Sequence, residues 1–402
     1  MGAAPRAIPV IMYHNVGRDY PGWPWNFLVT PLDVFEGHMR ILKERGWTTI
    51  TLAELHAHVA SGASVPEKPI VLTFDDGYRD NYVHAFPILK KYGHRAVIWM
   101  STDFVDPRDD CPPTLEDVWA GRIPMDGLDA RGYLSWAEMR RMVASGLVDI
   151  QSHAKTHTWY FDGPEIVDFH RPDGVEGYRA PLWLAWNEYP GEKYRSMHER
   201  MEKRIPYGRP IYRSGKSLGV RRYFEDAGLA SRLVAFAAEN GRDEFFSRGG
   251  WRERLEAVAR EYGPRADRFE TQEEHRARVR AELVESRETI EAALGTKVRF
   301  LCWPGGVHGE EVRAMAGEAG YLATTTLFED PVKKNVSGED PREINRIGSG
   351  SPWMWRGKII KNTGPEFFVA AFDLFAGKRF SIWKYRCYKL LYALRYCLTG
   401  DR

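Results

Sequence analysis

Two clusters in this chain hold side chains that could do chemistry together. One is Asp75-Asp76-Gly77, directly after the β-branched run Ile70–Phe74; the other is His153-Ala154-Lys155-Thr156-His157, just after Val148–Gln151. Two histidines four residues apart can face one ion if the backbone between them is helical. A carboxylate then completes a three-ligand site with positions left open for water and substrate. Adjacent carboxylates cannot usefully share one task. One can hold a metal ion while its neighbour, kept ionised by that cation, takes a proton from an attacking water. Each cluster alone is ordinary, since an Asp-Asp-Gly turn is often only a loop and two spaced histidines often sit on a solvated helix face. What lifts them is their common place, each directly after a predicted strand.

The elements that must position them alternate. Ile8–Tyr13, Ile70–Phe74, Ala96–Met100 and Val148–Gln151 read as strands. Pro31–Arg45 reads as a helix with Leu32, Phe35, Met39 and Leu42 on one face, and Asn81–Lys91 as another. Ser135–Ser145 is a third, with Ser135 and Glu138 as its capping box. The alternation breaks from about Thr158 to Pro264. It resumes with the helix Thr271–Leu294, the strand Val298–Trp303, the helix Glu310–Ala319 and the strand Leu322–Thr326. Such βα alternation predicts an α/β fold, a parallel sheet or barrel under helices, whose ligands bind beyond the carboxyl ends of the strands. Residues 1–157 and 265–355 would then form one discontinuous domain, 158–264 an insertion, and 356–402 a tail.

Composition narrows the function. The 402 residues carry 57 Lys+Arg against 55 Asp+Glu, and this near-neutral total gives no basic domain for nucleic acid. With 43% hydrophobic residues the chain can collapse on a core. Cys111, Cys302, Cys387 and Cys397 form no CxxC pair, which fits a reducing compartment. The N-terminus lacks a basic, then long apolar, export signal, and no window has the roughly 18 apolar residues of a spanning helix.

Thr73-Phe74-Asp75-Asp76-Gly77-Tyr78, with Ser152-His153 and His157, resembles the first two motifs of the polysaccharide deacetylases (NodB-homology, carbohydrate esterase family 4). Leu301-Cys302-Trp303-Pro304-Gly305-Gly306 before Gly320-Tyr321, and the opening Pro9–His14, are similar to the branch containing biofilm poly-N-acetylglucosamine deacetylases. The resemblance covers about half the chain and implies an irregular (β/α)7 barrel. It also implies Asp75 as general base, Asp76, His153 and His157 as ligands of a divalent ion, most commonly Zn2+, and the Tyr78 N–H as an oxyanion donor. The implied activity is metal-dependent N-deacetylation of an amino sugar in a polysaccharide or lipid-linked saccharide. An O-acetyl esterase and an inactive glycan- or lipid-binding relative are the alternatives.

Two family features are missing. An Arg that orients the base precedes the third-motif proline in many members, where this chain has Cys302-Trp303; Arg346 and Arg179 are the candidates to replace it. The late leucine–histidine motif that supplies the acid is not recognisable, leaving His14 and then His308. Trp183, Trp186 and Tyr207 in the insertion, with Trp303, could stack on sugar faces, or the insertion's aromatics could pack its own core. The tail from Arg356 carries ten Lys/Arg, three acids and ten aromatics, so it is +7 while residues 1–355 are −5. Its stripe Phe380, Trp383, Tyr388, Leu391 and Leu394 predicts either an interfacial helix on an anionic membrane or a helix docked on the barrel. The first reading favours a lipid-linked substrate and a cytoplasmic protein peripheral to the inner membrane face.

Overall fold

Every pairing in the main sheet is parallel, as βα alternation requires. The computed structural model describes residues 7–172, 181–306, 309–326, 334–356, 358–375 and 379–399. The strands and helices that matter below are β1 Val10–Tyr13, α1 Leu32–Glu44, β2 Pro69–Phe74, α2 Phe86–Tyr92, β3 Ala96–Met100, α3 Trp136–Ala144 and β4 Val148–Ser152. They continue with β5 Trp159–Phe169, α4 Leu182–Glu188, β6 Pro210–Lys216, α5 Gln272–Leu294, β7 Phe300–Leu301, α6 Glu310–Glu318, β8 Ala323–Thr325, β9 Glu343–Ile344 and β10 Ile347–Gly348. The last are β11 Trp353–Trp355, β12 Lys358–Ile360, α7 Pro365–Phe375 and α8 Arg379–Thr399.

Strand order is β9-β8-β7-β4-β3-β2-β1-β10, with the short Thr48–Thr49 strand added beside β2. The two end strands are one piece of chain, because only Asn345 and Arg346 separate β9 from β10. Residues 343–348 pair with β8 through Thr324↔Glu343 and with β1 through Ile11↔Ile347, so a single bent stave closes the sheet on itself. Counted this way there are seven staves, an irregular (β/α)7 barrel. A buried asparagine fixes the seam. Asn335 Nδ2 donates to the carbonyls of Ile8 and Asn345, 2.9 and 2.8 Å away, and its Oδ1 accepts from the Asn345 N–H at 2.8 Å.

Strand side chains alternate between two clusters, because successive residues point to opposite faces. Val10, Val71, Val97, Trp99, Phe300, Ala323 and Ile344 belong to one, together with Leu52, Leu55 and Val59 of the helix Leu52–Ser61. Ile11, Leu72, Ile98, Ile150 and Leu301 belong to the larger cluster that includes Phe35 and Met39 of α1 and Leu283 of α5. Burial on both faces explains why β2 reads as an unbroken apolar run. Capping boxes start α3 at Ser135 and α5 at Thr271.

The expected strand Val298–Trp303 shortens to β7, Phe300–Leu301, because the chain turns at Pro304-Gly305-Gly306. The irregular stretch after Thr158 contains a long antiparallel hairpin, β5 with β6, and a small cluster of Phe169, Leu229, Leu233, Phe245 and Leu255. In the tail, α8 stacks Tyr385 on Phe367 of α7, 5.1 Å between centroids, and sets Tyr392 against the same ring at 5.7 Å. The expected stripe is split by this docking: Tyr388 turns toward Phe367, whereas Trp383, Leu391 and Leu394 stay exposed. The Phe380 side chain lies outside the described residues. Among the described residues no helix is long and apolar enough to cross a membrane.

Asn335→Ala removes three hydrogen bonds from the buried seam, so unfolding free energy should fall by about 2–3 kcal/mol. A lower urea midpoint with an unchanged slope is the expected measurement.

Candidate active site

The same alternation that builds the barrel core aims the reactive side chains. Val10, Met12 and His14 share one face of the first strand and its extension; Val71, Thr73 and Asp75 share the matching face of the next, and Ile344 and Arg346 that of the closing stave. Register sets Val10 beside Val71 and Met12 beside Thr73, and the Asp75 N–H continues the ladder to the Tyr13 carbonyl at 2.9 Å. Three side chains from three staves therefore converge one step beyond the core. Arg346 Nη1 donates to Asp75 Oδ1 at 2.6 Å, while His14 Nε2 stands 3.9 Å from Asp75 Oδ2. Burial pushes the Asp75 carboxyl up, but Arg346, then His14 and His153, outweigh it and hold it below the usual carboxylate value. The Cys302 thiol, 3.7 Å from Oδ2, completes its surroundings. Arg179 and His308, the other candidates, lie outside the described residues.

Asp76 faces the other way because the chain turns sharply after Asp75. Asp76 and Gly77 both have a φ of 72°, a left-handed conformation that aspartate tolerates and glycine adopts freely. A Cβ on Gly77 would also sit 2.2 Å from the Met100 sulfur. Asp76 Oδ1 then lies 3.2 Å from both His153 Nε2 and His157 Nε2. The histidines meet without a helical backbone between them. Ala154 and His157 have φ of 57° and 41°, and the loop between them is held from outside. Glu282 of α5 accepts from the Thr156 N–H at 3.1 Å and from its hydroxyl at 2.6 Å; Ser286 donates to the Ala154 carbonyl at 3.0 Å. The buried Lys193 ammonium donates to the Thr156 carbonyl at 2.8 Å and to Asp103 at 3.0 Å.

This donor set fits a divalent cation. His153 Nδ1 donates to the Cys302 carbonyl at 2.8 Å, which leaves the Nε2 lone pair facing Asp76. Asp76 Oδ1 is buried and accepts no hydrogen bond. Nitrogen and oxygen donors 3.2 Å apart match the spacing of neighbours around an ion bound at roughly 2.0–2.2 Å. Asp75, His153 and Cys302 also cluster, but Asp75 already has a guanidinium as its cation.

A cavity of about 420 Å3 opens over both carboxylates. Trp186 and Trp303 line it, as the sequence suggested, but Trp183 and Tyr207 do not. Trp183 packs on Phe161 with centroids 5.3 Å apart, and Tyr207 sits against His170 and Phe246 in the cluster beyond the hairpin. Their place on the wall is taken by Trp23 and Trp25 after β1 and by Trp159 at the start of β5; Trp25 stacks on Trp186 at 5.5 Å. Tyr78 and Tyr133 form a bridge in which the Gly77 carbonyl and Arg79 N–H are bonded, so the Tyr78 N–H takes part in neither bond. Beneath it, the buried Arg79 pairs with Asp106 at 2.7 Å and Asp129 at 3.3 Å.

Sequence reading missed Lys216, the last residue of β6. Its ammonium lies 3.3 Å from the centroid of the Trp159 ring and close over Gly305, where a Cβ would be 2.7 Å from Nζ. Burial, opposed by Asp76, brings its pKa down to about 7. A cross-strand pairing, Trp159↔Lys216, puts it there, and only knowledge of the hairpin register could have found it.

A family model described as polysaccharide deacetylase matches residues 62–203 and 256–324, just over half of the chain. YxkH of Bacillus subtilis is 40% identical over 96 residues, 24% of this chain and 32% of that protein. The poly-β-1,6-N-acetyl-D-glucosamine N-deacetylase of Escherichia coli is 31% identical over 149 residues, 37% of this chain and 20% of that one. The matches thus span a third or less of these curated relatives. Among solved structures, the BpsB deacetylase domain from Bordetella bronchiseptica superposes with a TM-score of 0.50 at 19% identity, covering 86% of this chain and 98% of that one; this likeness is one of fold.

Glu282→Ala should release the histidine loop and weaken binding of an added divalent cation about 10–100-fold. Competition against a chromogenic chelator reads this directly.

Proposed function

The chain belongs to the polysaccharide deacetylase family, and on that premise we propose that it removes N-acetyl groups from an amino sugar with the help of a divalent ion, Zn2+ first among candidates. The observation that carries this reading is the division of labour between neighbouring carboxylates. Asp76 is turned toward two histidine nitrogens and Asp75 toward an arginine. An ion held by Asp76, His153 and His157 would polarise the acyl carbonyl and acidify the attacking water.

The chain's own groups supply the remainder. Asp75, ionised beside Arg346, accepts the proton of the attacking water as the new C–O bond forms. Tyr78 lines the cavity, and its N–H serves the oxygen that becomes negative. His14, on the other side of Asp75, donates a proton to the leaving nitrogen as the C–N bond breaks. Acetate and a free amino sugar result. Trp25, Trp159, Trp186 and Trp303 line the cavity, where aromatic rings suit the C–H groups of a sugar.

Asp75→Asn should lower acetate release from N-acetylglucosamine oligosaccharides by roughly 10²–10⁴-fold while bound Zn2+ stays stoichiometric; His153→Ala should lose both. Retained turnover in Asp75→Asn would contradict the base assignment. The pH profile tests Arg346. Burial raises Asp75 and the guanidinium lowers it, so Arg346→Ala leaves burial unopposed by its main cation. Protonation of the base then persists to higher pH, and the acidic limb of kcat/KM should move upward, with Arg346→Lys in between.

A further inference from the structure

A second cavity adjoins the one over Asp75 at His14. Met12, His14, Phe27 and Leu28 line the first on one side and the second, of about 840 Å3, on the other. This second cavity runs between the β11–β12 hairpin and α7, walled by Trp353, Met354, Ile359, Ala371, Leu374 and Phe375. A free sugar, rich in hydroxyls, has little to gain from such walls, whereas a hydrocarbon chain gains from every methylene it buries there. Two cations stand in it. Lys389 Nζ lies 5.3 Å from the Trp353 ring and 4.8 Å from Tyr385, and Lys334 Nζ lies 4.5 Å from Phe375. Among the described residues neither has a carboxylate partner, so both are available to an anion. The helix that contributes Lys389 turns Trp383, Leu390, Leu391 and Leu394 outward, with Lys384 and Arg386 among them. That is the make-up of a helix lying at a bilayer surface.

We propose that this groove holds the hydrocarbon chain of a lipid-linked amino sugar, with the phosphate that joins sugar to chain beside Lys389 and Lys334 and the N-acyl group over Asp75. The inference rests on the deacetylase reading and names the substrate class of that same site. It explains why the groove shares His14 with the reacting centre: the two ends of one amphiphilic molecule would lie on either side of that residue.

Calorimetry on the full, Zn2+-loaded chain tests it with three probes: decyl phospho-N-acetylglucosamine, N-acetylglucosamine 1-phosphate and decyl N-acetylglucosaminide. The decyl phosphodiester should bind about tenfold or more tightly than the sugar phosphate. Ala371→Trp, which fills the groove, should abolish that preference. Lys389→Glu should reduce affinity for the phosphodiester toward that of the uncharged glycoside. Unchanged acetate release from a soluble oligosaccharide certifies that both variants fold. Equal affinity for the phosphodiester and the sugar phosphate, or a preference that survives Ala371→Trp, overturns the proposal. Absence of acetate release from every probe with the binding preference intact would instead count against the hydrolase reading and leave the lipid site standing.

Discussion

A buried carboxylate keeps its charge only where a cation stands beside it, and Asp75-Asp76 makes that demand twice within one peptide unit. Two like charges so close would ordinarily push one another toward protonation. The barrel answers by sending the two side chains to different partners. A left-handed turn at Asp76 separates them, one to the Arg346 guanidinium and the other to two imidazole nitrogens that complete with it a donor set fit for a cation. Much of the surrounding structure follows from that separation: the glycine that admits Met100 and the glutamate that pins the histidine loop.

The parts of this arrangement that lie close in sequence were legible there. A β-branched run ending in Asp75-Asp76-Gly77 announces both strand and turn, and His153 with His157 falls within five residues. Arg346 is 271 positions from Asp75 and belongs to a stave whose two halves contain two residues each, too short for any periodicity to register. It could be singled out from the sequence only as one of two candidates. The helical backbone that would bring the histidines together is not what does so, because the loop owes its shape to Glu282 and Lys193 rather than to its own hydrogen bonds.

Aromatic residues show the same limit. Fourteen tryptophans are visible in the sequence, and nothing in local spacing tells a wall from a core. Trp183 and Trp186 sit on one helix, yet only Trp186 reaches the cavity. Which one does so depends on the β5–β6 hairpin, whose cross-strand register also delivers Lys216. The segment that the family model does not match, residues 204–255, contains β6 and hence this lysine, so Lys216 enters the pocket from outside the matched ranges.

The closing stave has a consequence for the order of events on the ribosome. Residues 343–348 leave the tunnel after every other stave, and they bring the cation that Asp75 needs. A nascent chain already contains both carboxylates and both histidines while its ring is still open, with one acid lacking its counter-ion. Ring closure is therefore also the step that gives the buried Asp75 carboxylate its guanidinium partner. A fragment translated only to the eighth strand contains Asp76, His153 and His157 but not Arg346, so that the pairing of Asp75 is a property of the closed ring.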